Sequence, residues 1–311
     1  MIHAETFISA NVFPVKLLQV NVLDDQQRIK PVHLVLIPTN KCNLNCSFCS
    51  SGNRNKTHEL PIEELIEIIT LFKNLGTLAV TISGGGEPLI HPHINELIEY
   101  ILAQDIKVGL ATNGTLLHLL DKQAITWCRI SLSDEHRFGA EQQHMLANNI
   151  LRLPNIDIAF SYVITDKPNI SKIISVIEFA YAYKCSHVRL SLDFAGSTQM
   201  ALIKRAVQDY TDDSNVIYHD RPEFKDGNSR CLLSLLKPLV DANGDVHACC
   251  GVRHNIQLRK FDMFVCHWTA YFHMFDTQQC FDGSMCKRCW YSKYNSMLSY
   301  MTGDTKHKEF I

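Results

Sequence analysis

The sequence predicts an α/β fold in which a partial (β/α)6 barrel precedes a small cysteine-rich C-terminal extension. Two observations predict this fold. Short β-branched runs alternate with helical patterns as far as Tyr210, and seven of the twelve cysteines follow Ser229. Such alternation is typical of βα units that form a parallel sheet. An open barrel of six units would carry its active-site loops at the carboxyl ends of the strands, as closed barrels do.

The elements of the barrel follow from periodicity. The clearest helix is 61–75, because Ile62, Leu65 and Ile69 fall on one face and Pro61 suits a first helical turn. The apolar run 78–83 indicates a strand that is buried on both faces. The six predicted strands are 32–38, 78–83, 107–112, 129–133, 156–164 and 187–192, and the six predicted helices are 61–75, 93–103, 116–125, 140–151, 170–183 and 200–210.

Turn-rich segments at 212–215 and 225–228 divide the chain. We expect an N-terminal extension over 1–31, the barrel over 32–215 and the cysteine-rich domain over 216–311. Within the extension, 13–22 is a candidate for one added strand.

Composition and charge exclude several classes of protein. With 46% hydrophobic and 20% charged residues, the chain can form a sizeable core. The net charge is −2 and Lys287-Arg288 is the tightest basic pair of the tail, so we expect no strong nucleic-acid binding. We find no signal peptide and no apolar stretch that would span a membrane. We therefore expect a cytoplasmic protein without a membrane partner, in which clustered cysteines bind metal rather than form disulfides.

The first cysteine cluster, C-x3-C-x2-C, consists of Cys42, Cys46 and Cys49. It follows a predicted strand and precedes a helix, which places it at the mouth of the barrel. Three thiolates can hold three corners of a [4Fe–4S] cube, whereas most clusters take four cysteines. One iron would then be open to another ligand. Zinc on these three cysteines would lack an obvious fourth ligand nearby.

This spacing resembles the defining motif of the radical SAM superfamily, and Phe48 matches the aromatic residue usual before the third cysteine. The resemblance implies that the methionine part of S-adenosylmethionine (SAM) chelates the open iron. It also implies three further contacts with SAM. The first is the GGEP-like turn of Gly84, Gly85, Gly86 and Glu87. The second is Asn113 in a T-N-G segment after the third strand, and the third is a polar residue of the fourth strand.

The fourth strand departs from the family pattern. Where the family often has I-S-L-D, this chain has Ser133, followed by Asp134. The ribose contact could therefore be Ser131, Ser133 or Asp134. Taken alone, the glycine-rich segment and Asn113-Gly114 also fit ordinary turns.

The second cysteine cluster begins with Cys231, Gly244 and Cys249, a C-x12-G-x4-C spacing. It resembles the SPASM and twitch extensions of radical SAM enzymes, and a predicted hairpin turn at 241–245 would join its two halves. The later cysteine run of a full SPASM domain is missing, so the twitch arrangement fits better. It implies an auxiliary [4Fe–4S] cluster on Cys231, Cys249, Cys286 and Cys289.

Several alternatives remain open for the cysteines. The same four ligands would suit a zinc ribbon. Cys250 or Cys280 could replace a proposed ligand, while Cys185 and Cys266, like Cys128, fit buried or spare thiols. Cys250 and Cys128 are also candidate hydrogen-atom donors to a substrate radical.

The resemblance implies reductive cleavage of SAM to a 5′-deoxyadenosyl radical, which takes a hydrogen atom from the substrate before an oxidation or rearrangement. An electron donor such as flavodoxin or ferredoxin is expected. Because only 31 residues precede the first predicted strand, too few for a peptide-binding domain, we expect a small polar substrate. The alternatives are a maturase of ribosomal peptides, an isomerase of amino-acid-modified nucleotides in viral DNA hypermodification, and a zinc-binding structural protein.

Overall fold

The computed structural model describes residues 14–121, 125–193, 196–211, 215–220, 227–250, 263–286 and 289–303. Seven parallel strands lie side by side in chain order in one sheet. They are β1 (His33–Leu36), β2 (Ala79–Ile82), β3 (Lys107–Thr112), β4 (Trp127–Ser133), β5 (Asp157–Ile164), β6 (His187–Leu192) and β7 (Val216–His219). The helices between them are α1 (Ile62–Asn74), α2 (Ile94–Ala103), α3 (Ala140–Leu151), α4 (Ile170–Ala182) and α5 (Met200–Val207).

The sequential strand order gives the sheet two different faces. Because parallel crossovers are right-handed, connections that always advance in one direction put the helices on the same face. On this outer face Val80, Cys128 and Ile130 are fully buried against helices. Since side chains alternate along a strand, the neighbouring residues lie on the opposite, inner face. Polar inner-face residues are Thr81, Arg129, Ser131, Ser161, Arg189 and His219.

The C-terminal part continues the same sheet. It contains β8 (Asn228–Cys231), α6 (Leu233–Leu236), β9 (Leu239–Val240), β10 (Asp245–His247), β11 (Phe264–His267), α7 (Tyr271–Asp276), β12 (Phe281–Gly283) and α8 (Ser292–Thr302). β9 pairs in parallel with β1 and antiparallel with β10, which confirms the predicted hairpin at 241–245. β8 and β12 form a separate two-stranded ladder. The sheet thus crosses the predicted boundary at 215/216, and the division into domains remains a prediction.

Two sequence-based elements are wrong. The described residues of the predicted helix 116–125 contain a short 3-10 helix, Leu117–Leu119, because a single turn suffices to bury Leu117 and Leu120. The described part of the possible N-terminal strand at 13–22 is instead a 3-10 helix, Val15–Leu18, that follows Pro14. The Lys287-Arg288 pair and most of the turn-rich segments lie outside the described residues.

Among the described helices, none combines the length and the apolar character that a membrane crossing requires.

Candidate functional site

The first cysteine loop, residues 42–49, lies between β1 and α1. Burial, together with the nearby Cys49 and Cys42, raises the pKa of the Cys46 thiol to about 11. The three thiols therefore lie close together. Tightly grouped thiols resist simultaneous ionisation unless a cation compensates for their charge.

Each of the three sulfurs has a nitrogen partner. The backbone nitrogen of Leu44 donates to Cys42 Sγ at 3.4 Å. Nε2 of His136 lies 3.2 Å from Cys46 Sγ, and Nη1 of Arg54 donates to Cys49 Sγ at 3.8 Å. Burial lowers the pKa of His136, so its ring is neutral at pH 7 and can donate from Nε2. These donors would stabilise negative charge on the sulfurs.

The loop is held from both ends. Buried Arg54 donates from Nε to the carbonyl oxygen of Asn40 at 2.7 Å and from Nη1 to that of Ser51 at 2.8 Å. Glu135, in the loop after β4, accepts hydrogen bonds from both the backbone nitrogen and the hydroxyl of Ser47. Phe48 packs edge-on against His136, with ring centroids 6.1 Å apart.

The glycine-rich turn after β2 lies directly against the segment that leads into the cysteine loop. The backbone nitrogen of Gly86 donates to Thr39 O at 3.1 Å, and that of Glu87 donates to Lys41 O at 2.8 Å. A β-carbon at Gly85 would collide with the side-chain oxygen of Asn40, and one at Gly86 with the carbonyl oxygen of Lys41. Glycine is therefore required for this close approach.

Glu87 joins the glycine-rich turn to the end of β3. Its buried carboxylate accepts hydrogen bonds from Thr112 Oγ1 at 2.7 Å, the backbone nitrogen of Asn113 at 2.7 Å and that of Leu89 at 3.1 Å. Burial raises the pKa of Glu87 in spite of these donors. Since its carboxylate is already engaged, a cofactor contact in this turn would come from the backbone.

Asn113 in turn supports the cysteine loop. Its side-chain nitrogen donates to Asn43 Oδ1 at 2.9 Å, and Asn43 Nδ2 donates to Thr115 Oγ1 at 2.8 Å. The side-chain oxygen of Asn113 accepts the backbone nitrogen of Thr115 at 3.0 Å. The structure thus gives Asn113 a bracing role between two loops.

The three alternatives at the end of β4 have different surroundings. Ser133 is buried and accepts the backbone nitrogen of Glu135. The Asp134 carboxylate accepts hydrogen bonds from Tyr162 Oη at 2.8 Å and from the backbone of the next loop. Ser131 is partly accessible on the inner face, and its hydroxyl has no hydrogen-bond partner within the described part of the chain. Ser131 is therefore the residue that is available to a ligand.

The second cysteine region is assembled from separate segments. Burial, together with the nearby thiols of Cys289 and Cys286, raises the pKa of Cys231 to about 12. The Cys249 side chain lies beside Cys250 and Tyr291. The sulfur of Cys250 is 3.5 Å from the Tyr291 hydroxyl, two residues beyond Cys289. These contacts bring Cys249 towards the segment that holds the other thiols.

The remaining cysteines belong to the core. Cys128 is fully buried on the outer face of β4, where burial raises its pKa to about 12. Because it faces away from the inner face, its position does not support the predicted donor role. Cys185 is also buried, and Cys266 and Cys280 pack against the core.

A zinc site requires closely spaced ligands. Tetrahedral zinc with bonds of about 2.3 Å would hold its sulfurs about 3.8 Å apart. Among the described residues no three cysteine sulfurs lie within 4.8 Å of one another. The group that is this tight is Asp241, Asp245 and His247, in which Asp241 accepts the backbone nitrogens of its own hairpin turn.

Sequence reasoning missed several residues of the site. His136 and Glu135 follow β4, and a polar residue just beyond a barrel strand is the signal that could have identified them. Asn43 lies inside the cysteine motif itself. Arg54 carries no spacing signal, because its partners are fixed by the fold of the loop.

Comparisons with known proteins cover this same region. Residues 36–133 match the family model for the radical SAM superfamily. A probable GTP 3′,8-cyclase of Methanococcus maripaludis is 36% identical over 94 residues, which is 29% of this chain and 31% of that protein. The antilisterial bacteriocin subtilosin biosynthesis protein AlbA of Bacillus subtilis is 32% identical over 88 residues, 28% of this chain and 19% of that protein. The chain thus spans less than a third of either relative.

Solved structures share the fold over more of the chain. SuiB of Streptococcus suis bound to S-adenosylmethionine has a TM-score of 0.60 at 19% identity, covering 96% of this chain and 72% of that chain. SuiB bound to precursor peptide SuiA has a TM-score of 0.60 at 20% identity, covering 90% of this chain and 73% of that chain. The family match contains the cysteine loop, the glycine-rich turn and β4. Residues 36–133 of this chain therefore carry a radical SAM domain.

Proposed function

We propose that the chain is an enzyme that cleaves SAM reductively on a [4Fe–4S] cluster held by Cys42, Cys46 and Cys49, and then takes a hydrogen atom from a small polar substrate. The radical SAM domain at residues 36–133 supports both the cluster and SAM. The observation that carries the proposal is the loop of three neighbouring thiols, each with a nitrogen donor on its sulfur.

The donor set fits such a cluster. Bound iron would keep the three thiols ionised in spite of the burial that raises the pKa of Cys46. The donors from Leu44, His136 and Arg54 would spread the charge of the sulfurs and orient the loop. When bound, the cluster and SAM supply the radical that removes a hydrogen atom from carbon, and the protein positions and shields the reactants.

The residues around the loop suit SAM. The turn at 84–86 exposes backbone without side chains beside the cysteine loop, and the free Ser131 hydroxyl lies on the inner face. Glu87 and Asn113 hold these loops in place through their hydrogen bonds. We therefore assign SAM binding to the backbone of the turn and to Ser131, with Glu87 and Asn113 as positioning residues.

We further propose a twitch-type auxiliary [4Fe–4S] cluster on Cys231, Cys249, Cys286 and Cys289. The proximity of Cys231, Cys286 and Cys289 supports it, as does the approach of Cys249 through Tyr291. Four thiolates would leave no open iron, which suits electron transfer. Such a cluster could accept one electron from the substrate radical, and a net oxidation is then the favoured outcome over a rearrangement.

A peptide maturase is the second candidate function. The fold shared with SuiB, solved with the precursor peptide SuiA, and the similarity to AlbA favour it. The small polar substrate is favoured by the enclosed inner face, which carries serine, histidine and arginine side chains. Reduction would require an electron donor such as flavodoxin or ferredoxin.

The test is anaerobic reconstitution, iron analysis and measurement of 5′-deoxyadenosine after reduction. We expect about eight irons per chain and SAM-dependent 5′-deoxyadenosine. Replacing Cys42, Cys46 and Cys49 with alanine should leave about four irons and no 5′-deoxyadenosine. Cys185→Ala, a buried cysteine outside both sites, serves as the control and should keep both. A colourless protein that binds zinc, or an iron-loaded protein that never forms 5′-deoxyadenosine, would refute the proposal.

A further inference from the structure

Two arginines lie on the inner face of the sheet. Arg129 is the third residue of β4 and Arg189 the third residue of β6. Between them on β5 lies Ser161, whose hydroxyl accepts Arg189 Nη2 at 2.8 Å and Nε at 3.3 Å. The Arg129 guanidinium lies 5.5 Å from the centre of the Trp127 ring. The sheet therefore directs two guanidinium groups into one interior space.

Neither guanidinium has a carboxylate partner among the described residues. The Nε of Arg129 is buried and has no hydrogen-bond partner there. Burial, together with the positive charge of Arg129, lowers the pKa of Arg189 to about 9. Both groups remain charged at pH 7, and buried charges are normally paired.

The described groups that act on the two arginines include no carboxylate. Burial, followed by the charges of both arginines, lowers the pKa of His187 and of His219 to about 4, so both rings are neutral at pH 7. From the C-terminal part, the Tyr291 hydroxyl and the Cys250 thiol come near enough to raise the pKa of both arginines. Burial raises the pKa of Tyr291 well above its usual range, whereas the hydrogen bond with Cys249 lowers the pKa of Cys250 well below its usual range. At most one thiolate therefore faces the two guanidinium groups, and the space keeps a net positive charge.

Both arginines are only partly buried. Although protein surrounds Arg129 and Arg189, each retains partly accessible surface. At Gly109 of β3 the missing β-carbon lets the indole of Trp127 pack directly against the strand. A ligand that enters this face could contact the accessible parts of the two arginines.

The arginines lie away from the cysteine loop. Arg129 precedes Ser133, the last residue of β4, by four positions, which is about 13 Å along a strand. The cysteine loop and the glycine-rich turn lie beyond the carboxyl ends of the strands. The arginines thus lie deeper in the interior than the site that we assign to SAM, on the side approached by Cys250 and Tyr291.

We propose that Arg129 and Arg189 bind an anionic group of the substrate, a phosphate or a carboxylate. This inference rests on the proposed function and narrows its small polar substrate to an anionic one. Guanidinium groups bind both anions through paired N–H donors, and Arg189 uses only part of its donors on Ser161. An anion held here would neutralise the two charges and leave the rest of the substrate directed towards the strand ends, where the radical would form.

The test uses the reconstituted full chain and two probes, inorganic phosphate and glutarate. Thermal unfolding and calorimetry would be measured for the unaltered protein and for Arg129→Met and Arg189→Met. The control is Arg205→Met, an exposed arginine of α5. We expect a probe to raise the unfolding temperature of the unaltered protein and the control. The affinity for the probe should fall about thirtyfold or more in either methionine variant.

Each result has a definite meaning. A response to phosphate alone identifies a phosphorylated substrate, and a response to glutarate alone identifies a carboxylate. Without probe, the Met variants should be at least as stable as the unaltered protein, because an unpaired buried charge is removed. If a variant does not fold, Arg189→Lys, which keeps the charge and loses the planar fork, should still weaken binding.

Two results would overturn the inference: neither probe binds the unaltered protein, or binding persists in both Met variants and is therefore adventitious. The 5′-deoxyadenosine assay separates this failure from failure of the proposed function. SAM cleavage without arginine-dependent anion binding rejects only the inference. Arginine-dependent anion binding without SAM cleavage rejects only the proposed function.

Discussion

The two cysteine regions of the molecule are constructed in opposite ways. Cys42, Cys46 and Cys49 lie in one loop of eight residues, and each sulfur has a nitrogen partner. In the C-terminal region, Cys231 ends β8, Cys249 follows β10, and Cys286 and Cys289 follow β12. The first region is local in sequence, whereas the second depends on the pairing of β8 with β12.

The difference extends to what holds each region in place. The first loop is braced by the ends of β2, β3 and β4, through Gly86, Asn113 and Glu135. The second region contacts the inner face through Tyr291 and Cys250. Since these two sets of contacts share no residue, we infer that the regions are loaded independently.

The largest effect is expected from Cys231→Ala. Losing one of four proposed ligands should remove about four irons, while the first loop keeps its cluster and still cleaves SAM. Iron analysis and 5′-deoxyadenosine formation on the same sample would measure both. Cys266→Ala, which alters a cysteine packed against the core, serves as the matched control. Equal loss of SAM cleavage and iron would contradict independent loading.

The same contrast explains what could be predicted from the sequence. Strand periodicity gave β3 and β6 with both ends correct, because each is a β-branched run between turns. β7 was missed because its four residues, Val216–His219, follow a turn-rich segment that we assigned to a domain boundary. The helix predicted at 116–125 failed because its leucines are buried by one 3-10 turn.

Within the site, residue spacing predicted which thiols belong together but not the contacts across loops. Glu87 and Asn113 were expected to touch the cofactor, which stays a prediction, and the protein partners of their side chains come from β3 and the cysteine loop. Alternation along β4 places Arg129 and Ser131 on one face. Which face of the strand lies inside the molecule depends on the handedness of every crossover, so the pairing of Arg129 with Arg189 was not predicted.

A smaller effect is expected from His136→Phe, which keeps a ring against Phe48 but removes the nitrogen partner of Cys46. Hydrogen bonds to sulfur help set cluster potentials, and loss of a donor should lower the potential of the first cluster. SAM cleavage should slow by about 10- to 100-fold. A redox titration followed by electron paramagnetic resonance would measure the potential.

Two variants make the test of His136 specific. His136→Gln restores an N–H donor and should recover part of the potential. His144→Gln, an exposed position of α3, should change neither quantity. An unchanged potential in His136→Phe would show that the contact with Cys46 does not tune the cluster. The second region has no such histidine in the contacts described, so its potential should stay constant.

The smallest effect is a pH dependence carried by Glu87. Burial raises the pKa of this carboxyl above its ordinary value of 4.5, so folding favours the protonated form. The stability that it contributes is therefore present below pH 4.5 and is lost as the pH rises through the higher, folded-state pKa. Glu87→Gln cannot ionise. As the pH rises, the unfolding free energy of the unaltered protein should therefore fall relative to that of the variant. Urea unfolding of both proteins across this range measures the difference. A slope of the opposite sign would contradict this prediction. It would mean that the hydrogen bonds from Thr112 and Asn113 stabilise the ionised Glu87 carboxylate more than burial destabilises it.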